Sequence, residues 1–210
     1  MTGKKIYDTL KKIEGDRNMK QEKLDEKLYE AIQKRDFAAA GKLIKKGANK
    51  SWTYLMKAID AGDIEQAKFW VDTGINLNQV TNKLTGETFI SRAVFKGKQE
   101  ILELLVDGGA DIAFADKALA EVRHGSDINS LLMTSLLNKN LEMMEYLIKR
   151  GAKPTAEFIQ GLDFYEKTLR VGALVSASKE GCEKVRELQA EFRRIDAERR
   201  AKDKEFGQGK

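Results

Sequence analysis

The sequence predicts an all-α protein, a solenoid of stacked helical hairpins with an N-terminal capping helix and a long C-terminal helix. Three observations predict this fold class. A block of 23 residues recurs four times in fixed register. Within the blocks, apolar residues return every three or four positions, as on one face of a helix. Each block also closes at a glycine, the residue that most readily adopts the left-handed conformation that ends a helix.

The four blocks share the same internal spacing. They span residues 26–48, 53–75, 88–110 and 130–152. Each begins 21 positions before its closing glycine, which is Gly47, Gly74, Gly109 or Gly151. A small residue in the first half would let a neighbouring helix approach closely; the four are Ala31, Ala58, Ala93 and Ser135. This constancy predicts four copies of one structural unit.

Each block is predicted to contain two helices. The hinge between them falls at the tenth position, which holds Arg35, Gly62, Gly97 or Lys139. Apolar residues then recur at helical spacing in the second half, as with Ile101, Leu104 and Leu105. We expect the apolar pairs Phe69–Trp70 and Met143–Met144 to lie in the core.

The blocks resemble ankyrin repeats. The family pattern T-P-L-H-x-A maps onto residues 88–93, and its Leu-Leu-x-x-x-Gly-Ala ending maps onto residues 104–110. The family histidine is replaced in all four blocks, by Tyr29, Met56, Ser91 and Met133. We therefore expect apolar packing in place of the polar clip that links neighbouring repeats. The resemblance covers roughly residues 24 to 154 and implies a protein-binding module.

The connections between blocks differ in length. The first, residues 49–52, is too short for a hairpin finger. The second, residues 76–87, is long enough for one and carries turn signals at Asn82 and Gly86. The third, residues 111–129, predicts an extra helix that Asp116 caps and Gly125 ends.

The ends of the chain are predicted to form separate segments. Residues 1–23 predict a capping helix and linker, with the helix stopped by Gly15. The stack extends over residues 24–178 and includes a decayed terminal repeat at residues 157–178. Residues 179–210 predict a charged helix and tail, with a short coiled-coil seam at Val185, Leu188, Phe192 and Ile195. That helix could lie across the last repeat, form a homodimer through residues 185–195, or contact nucleic acid through its arginines.

Composition narrows the class of function. The 210 residues carry a net charge of +5, from 38 basic and 33 acidic side chains, so the surface is mixed and nucleic acid is not expected as the partner. Cys182 is the single cysteine, which rules out an intrachain disulfide and favours a reducing compartment. The N-terminus lacks the apolar run of a secretory signal, and no stretch approaches 18 apolar residues. A cytoplasmic location without membrane contact is expected, although signal-independent export to a host cell would leave no trace in the sequence.

No catalytic chemistry is predicted. His124 is the only histidine, and together with Cys182 it cannot supply a typical zinc-ligand set. No phosphate-binding glycine loop is present. We therefore expect no metal, no cofactor, no small-molecule substrate and no enzymatic activity.

The resemblance implies that a partner contacts the exposed positions of the first helix of each block and the tips of the connections. Carried over to this sequence, the candidates are Trp52, Asp60, Glu87, Phe95, Lys96, Phe114, His124, Asn129, Leu137 and Asn138. Two of them leave an alternative open. Trp52 could instead pack beneath its short loop, and Phe95 could pack against Ala61 or Leu137.

The predicted function is non-enzymatic binding of one protein partner, as an inhibitor, adaptor or effector. Two alternatives remain at this point. One is an oligomeric scaffold assembled through the C-terminal helix, and the other is a nucleic-acid-associated protein, suggested by the sequence pI of about 9.1.

Overall fold

The computed structural model describes residues 3–122 and 130–154, with side chains from residue 18 onward. Further along the chain it describes residues 158, 160–162, 164, 186, 187, 189, 190, 193, 194, 197 and 198. Within these residues the protein is all-α, as predicted, and the extended backbone is limited to one antiparallel bridge between Asn82 and Glu87. The chain divides into two compact units, Met1–Ala58 with Asp63–Ile75, and Ile59–Gly62 with Asn76–Lys210.

The helices follow the predicted hairpin pattern. Over residues 3–154 they are α1 Gly3–Gln33, α2 Phe37–Lys45, α3 Trp52–Ala61, α4 Ile64–Asp72, α5 Phe89–Phe95, α6 Gln99–Asp107, α7 Ile112–Val122, α8 Leu131–Leu137 and α9 Leu141–Lys149. Each block supplies one pair joined by a turn of two or three residues: α1–α2, α3–α4, α5–α6 and α8–α9. The remaining helix, α7, is the extra helix predicted for the third connection.

The hinge and closing positions of every block have left-handed backbone. The four hinge residues Arg35, Gly62, Gly97 and Lys139 have φ of 57°, 71°, 65° and 56°. The closing glycines Gly47, Gly74, Gly109 and Gly151 have φ of 101°, 70°, 98° and 93°. These two slots recur in the sequence because the backbone needs the same conformation at both ends of each second helix.

Lys139 occupies a conformation that suits glycine better, and this gives a testable prediction. A non-glycine residue in the left-handed region costs about 1–2 kcal/mol, which a change to glycine would recover. The extra freedom of glycine in the unfolded state offsets part of this gain. We expect Lys139→Gly to raise the free energy of unfolding by about 0.5–1 kcal/mol in urea denaturation. Lys139→Ala is the control and should give no gain, because alanine keeps the strain. Equal effects of the two substitutions would contradict the backbone explanation.

Side-chain caps set where three of the four second helices begin, and α6 has none. Asp36 accepts a hydrogen bond from the backbone N–H of Ala39 at 2.8 Å, and Asp63 accepts one from that of Gln66 at 3.0 Å. Asn140 does the same for Met143 at 3.0 Å. These are the polar residues beside the hinges in the sequence, and they satisfy backbone donors that the first helical turn leaves free.

The core positions predicted from the blocks are buried, except that Phe69 is half-buried and stacks on Phe37 at 5.0 Å between ring centroids. The small residues Ala31, Ala58, Ala93 and Ser135 retain no more than 7% of their exposure. Trp70 of α4 is fully buried in the first unit, where Tyr54 stacks on it at 5.0 Å between ring centroids. Met143 and Met144 of α9 are fully buried in the second unit.

Two sequence predictions about helix ends are wrong. Gly15 does not stop the first helix, because α1 runs without a break from Gly3 to Gln33. A glycine inside a helix costs only about 1 kcal/mol, which a helix of this length tolerates. Asp116 does not cap α7, which already begins at Ile112; Asp111 accepts from the N–H of Ala113 at 2.8 Å there. Asp116 instead accepts from the N–H of Leu131, the first residue of α8, at 2.8 Å.

The expected apolar replacement of the family clip is only partly correct. Met56 and Met133 are 9% and 8% exposed, in keeping with apolar packing, whereas Tyr29 is 46% exposed. Ser91 forms a capping box with Thr88. A polar link between neighbouring hairpins is present at another position. The side-chain amide of Asn138, directly after α8, donates to the carbonyl of Phe95 on α5 at 3.2 Å.

The remaining predicted segments lie wholly or mostly outside the described residues. Of the decayed repeat at residues 157–178, Phe158 and Leu162 are described, helical and fully buried. The four seam residues at 185–195 and Gly125 lie outside the described residues. The boundaries 1–23, 24–178 and 179–210 remain predictions. Among the described helices, none has both the length and the apolar character that crossing a membrane requires.

Candidate functional site

The second connection folds into a short finger. The carbonyl of Glu87 accepts from the N–H of Thr81 at 2.7 Å and from the Thr81 hydroxyl at 3.0 Å, which closes the turn. At its tip Leu84 is 85% exposed, the largest exposure among the large apolar side chains described. Gly86 is buried, with φ of 67°, and its Cα faces the backbone of Ala118 on α7. The finger predicted at Asn82 and Gly86 is therefore present.

Arg92 of α5 joins two of the predicted binding residues, and a third contacts the same cluster. Its guanidinium donates to both carboxylate oxygens of Asp60 at 2.7 and 2.9 Å, and to Glu87 at 2.9 Å. Lys96, one helical turn after Arg92, places its Nζ 3.8 Å from Asp60. The hydrogen bond from Arg92 lowers the pKa of Asp60, and the two acids raise the pKa of Arg92. Sequence analysis missed Arg92 as the centre of this cluster.

Two exposed apolar side chains lie at the ends of α5 and α8. Phe95 and Leu137 occupy the same slot of their blocks and are 62% and 69% exposed. The residues just before them, Val94 and Leu136, are buried. The Asn138 amide, which donates to the carbonyls of Val94 and Phe95 at 3.4 and 3.2 Å, holds these helix ends side by side. Phe95 and Leu137 therefore form an apolar pair on the surface, and keeping such side chains exposed to water is unfavourable.

The other predicted residues are dispersed. Trp52 is the first residue of α3, belongs to the first unit and is 38% exposed. Phe114 lies half-buried on α7. His124 and Asn129 lie outside the described residues. The structure thus brings together Asp60, Glu87, Phe95, Lys96, Leu137 and Asn138 in the second unit.

Two residues of this region escaped sequence analysis. Leu84 carried one signal, an apolar residue between the turn-forming Asn82 and Gly86. Arg92 lies 32 residues after Asp60, close to one repeat length, and only that spacing hinted at a pair. Arg92 occupies the x of the family pattern T-P-L-H-x-A, a position where any residue is allowed, so the pattern does not indicate which residue Arg92 contacts.

The arrangement offers groups suited to binding. Within the described part of the chain, no cluster of three or more His, Cys, Asp or Glu side chains could hold a metal ion. Burial raises the pKa of Asp116 to about 6, but its carboxylate accepts a backbone N–H that it holds in place. An apolar pair beside a pre-formed ion-pair cluster is typical of a surface that recognises another macromolecule.

Comparison with known proteins agrees with the hairpin geometry. Residues 28–116 match the family model described as ankyrin repeats (3 copies), from the end of α1 into α7. No curated protein matches the chain. The fourth hairpin, α8–α9, lies beyond the matched residues yet has the same left-handed hinge and closing turn as the first three.

Proposed function

Because this chain belongs to the ankyrin-repeat family, whose members generally act as protein–protein interaction modules and are typically non-enzymatic, we propose that it binds a protein partner through the ends of α5 and α8. The observation that carries this proposal is the exposure of Phe95 and Leu137 at equivalent slots of adjacent hairpins. Burying both side chains against a partner removes apolar surface from water, which is the main favourable contribution to association.

The ion-pair cluster supports the same surface. Arg92, Asp60 and Glu87 are already arranged before a partner arrives, so binding does not have to order them. Lys96 directly follows Phe95 at the end of α5, contacts Asp60 of the cluster and remains partly exposed. The finger tip at Leu84 adds a further apolar contact within the second unit. The single cysteine of the chain supports an intracellular site of action.

A comparative pull-down tests the proposed surface. We expect the double variant Phe95→Ser/Leu137→Ser to lose at least about tenfold in affinity for a partner captured by the wild-type chain, since interface anchors contribute about 2 kcal/mol or more. Both side chains are exposed, so the thermal unfolding midpoint should hardly change. Quantitative mass spectrometry identifies the partner, and titration of that purified partner gives the affinities.

The matched control is Ile64→Ser on α4. Ile64 is also a large exposed apolar residue, at 42% exposure, but lies in the first unit. It should leave the affinity unchanged. An equal loss in the control would mean that general surface hydrophobicity drives capture, and no loss in the double variant would reject the proposed surface.

A further inference from the structure

A second surface lies on the first unit and carries charge of one sign. The exposed side of α2 presents Lys42, Lys45 and Lys46, which are spaced three and four residues apart and therefore share one helix face. Residues 37–58 contain five lysines and no acidic residue, arginine or histidine. This is a local imbalance that the net charge of the whole chain conceals.

Among the described residues, lysines on or next to four other helices are paired with acids. Acid–base pairs four residues apart occur on α1, α4, α7 and α9: Glu30–Lys34, Lys68–Asp72, Lys117–Glu121 and Glu145–Lys149. None of the three α2 lysines has an ion-pair partner among the described residues. Like charges four residues apart, such as Lys42 and Lys46, repel each other on a helix. The α2 lysines differ in this respect from the paired lysines of α1, α4, α7 and α9.

The helix C-terminus accounts for part of this arrangement. Positive charge in the last helical turn is favourable, which accounts for Lys42 and Lys45. It does not explain Lys50, which lies beyond α2 and donates from Nζ to the carbonyl of Thr73 at 2.8 Å.

The loop after α2 extends the charged face and holds it in shape. The Asp25 carboxylate accepts from the backbone N–H of Asn49 at 2.7 Å and from its side-chain amide at 3.2 Å. Gln21 donates to the carbonyl of Gly47 at 3.0 Å. Trp52, two residues after Lys50, adds a partly exposed aromatic ring at the edge. We name Lys42, Lys45, Lys46, Lys50 and Trp52 the lysine surface.

We propose that the lysine surface docks a short acidic segment of a partner protein. Carboxylates spaced three or four residues apart on such a segment match the spacing of the α2 lysines, and Trp52 offers an apolar contact beside them. Ionised partners would replace like-charge repulsion with attraction. The residues of this surface are all in the first unit, so the inference does not depend on the function proposed for Phe95 and Leu137 in the second.

The charge distribution favours a short acidic peptide over nucleic acid. A long polyanion gains affinity from many phosphate contacts, typically six to ten, whereas this surface offers four lysines and no arginine fork. A long polyanion would also meet exposed acids of the same unit, such as Glu22 and Glu26 on α1. A short segment engages only the local lysines.

A peptide titration on the full-length chain tests the inference. The probe is a fluorescent oligoglutamate peptide of about eight residues, long enough to span roughly 25 Å when extended. Anisotropy is measured at low salt, where the Debye length is about 30 Å at 0.01 M. We expect binding by the wild-type chain and an affinity about tenfold lower for the variant K42Q/K45Q/K46Q, because the variant loses three ion pairs to the peptide.

A charge-matched variant provides the control. K68Q/K117Q/K149Q removes the same three charges from lysines that already have acidic partners, and should change the affinity by no more than about twofold. Circular dichroism melting of K42Q/K45Q/K46Q should show an unchanged or higher midpoint, because like-charge repulsion is removed.

Each other outcome overturns the inference. Absence of binding, or equal losses in the two triple variants, shows that the lysine surface is not a specific site. A DNA oligonucleotide or a phosphatidylserine vesicle that binds more tightly than the peptide through the same lysines shows that the ligand is nucleic acid or membrane. None of these results bears on Phe95 and Leu137, whose variants test the other surface.

Discussion

Gly86→Ala is expected to lower the free energy of unfolding by about 2–5 kcal/mol. Two costs add at this position. A Cβ at Gly86 would overlap the carbonyl oxygen of Ala118 and lie 2.8 Å from its carbonyl carbon and 3.1 Å from Cα of Leu119. These are backbone atoms of α7, so no side-chain rotation relieves the overlap, and forced overpacking costs about 1–3 kcal/mol. The φ of 67° adds about 1–2 kcal/mol for any residue with a Cβ.

Gly97→Ala separates the two costs. Gly97 has nearly the same φ, 65°, but a Cβ there would meet no atom within 4 Å. Its substitution should cost only the backbone term of about 1–2 kcal/mol. Urea denaturation of both variants, followed by far-ultraviolet circular dichroism, measures the difference. Equal destabilisation of the two variants would show that the finger does not press against α7.

Asp116→Asn is expected to raise the free energy of unfolding at pH 7 by about 1–3 kcal/mol. Burial raises the pKa of this carboxyl group from 3.8 to about 6, and the hydrogen bond from the Leu131 N–H offsets only part of that effect. At neutral pH the folded chain therefore keeps a desolvated negative charge, at a cost of about 1.4 kcal/mol per pKa unit. Asparagine removes the charge and keeps an oxygen that can accept from Leu131.

The pH dependence of this effect has a definite sign. Between about pH 4 and pH 6 the folded state holds the Asp116 proton and the unfolded state does not. The contribution of Asp116 to the free energy of unfolding is therefore highest below the unfolded pKa of 3.8 and falls as the pH rises through about 6. The advantage of Asp116→Asn over the wild type should be largest above pH 6 and vanish below pH 4.

Asp111→Asn is the matched control for the loss of one negative charge on the same segment. Asp111 is exposed and its side chain caps α7, a role that asparagine fills about as well. It should change the free energy of unfolding by less than about 0.5 kcal/mol at any pH. Chemical denaturation at several pH values compares the three chains. A constant difference between Asp116→Asn and the wild type across this range would contradict burial as the cause.

The parts of the fold that follow from local rules were predictable from the sequence. Of the nine left-handed positions described, eight fall at the hinge and closing slots of the four blocks, even where the hinge holds Arg35 or Lys139, and the ninth is Gly86 of the finger. The finger and the extra helix α7 were also predicted, because turn residues and helical periodicity signal them directly. Helix ends were less predictable. Gly15 and Asp116 are both typical of helix boundaries, yet each lies inside a helix.

The candidate site was only partly predictable. The slot shared by Phe95 and Leu137 indicated exposure because it repeats a position that the resemblance places outside the core. Arg92 could not be chosen from the sequence, since its role depends on Asp60 and Glu87 approaching it from other elements. The lysine surface was not predicted from the sequence. The net charge was counted over long segments, in which acidic residues elsewhere cancel these lysines.

The sequence by itself determined the repeated hairpins and their hinges, since each depends on residue type and spacing along a short stretch of chain. Only the tertiary structure decided which polar groups meet. It made Asp116 the acceptor for the first N–H of α8 and placed Gly86 against the backbone of Ala118. Such contacts join residues 15 to 32 positions apart, and their energies depend on distances and burial that no local pattern encodes.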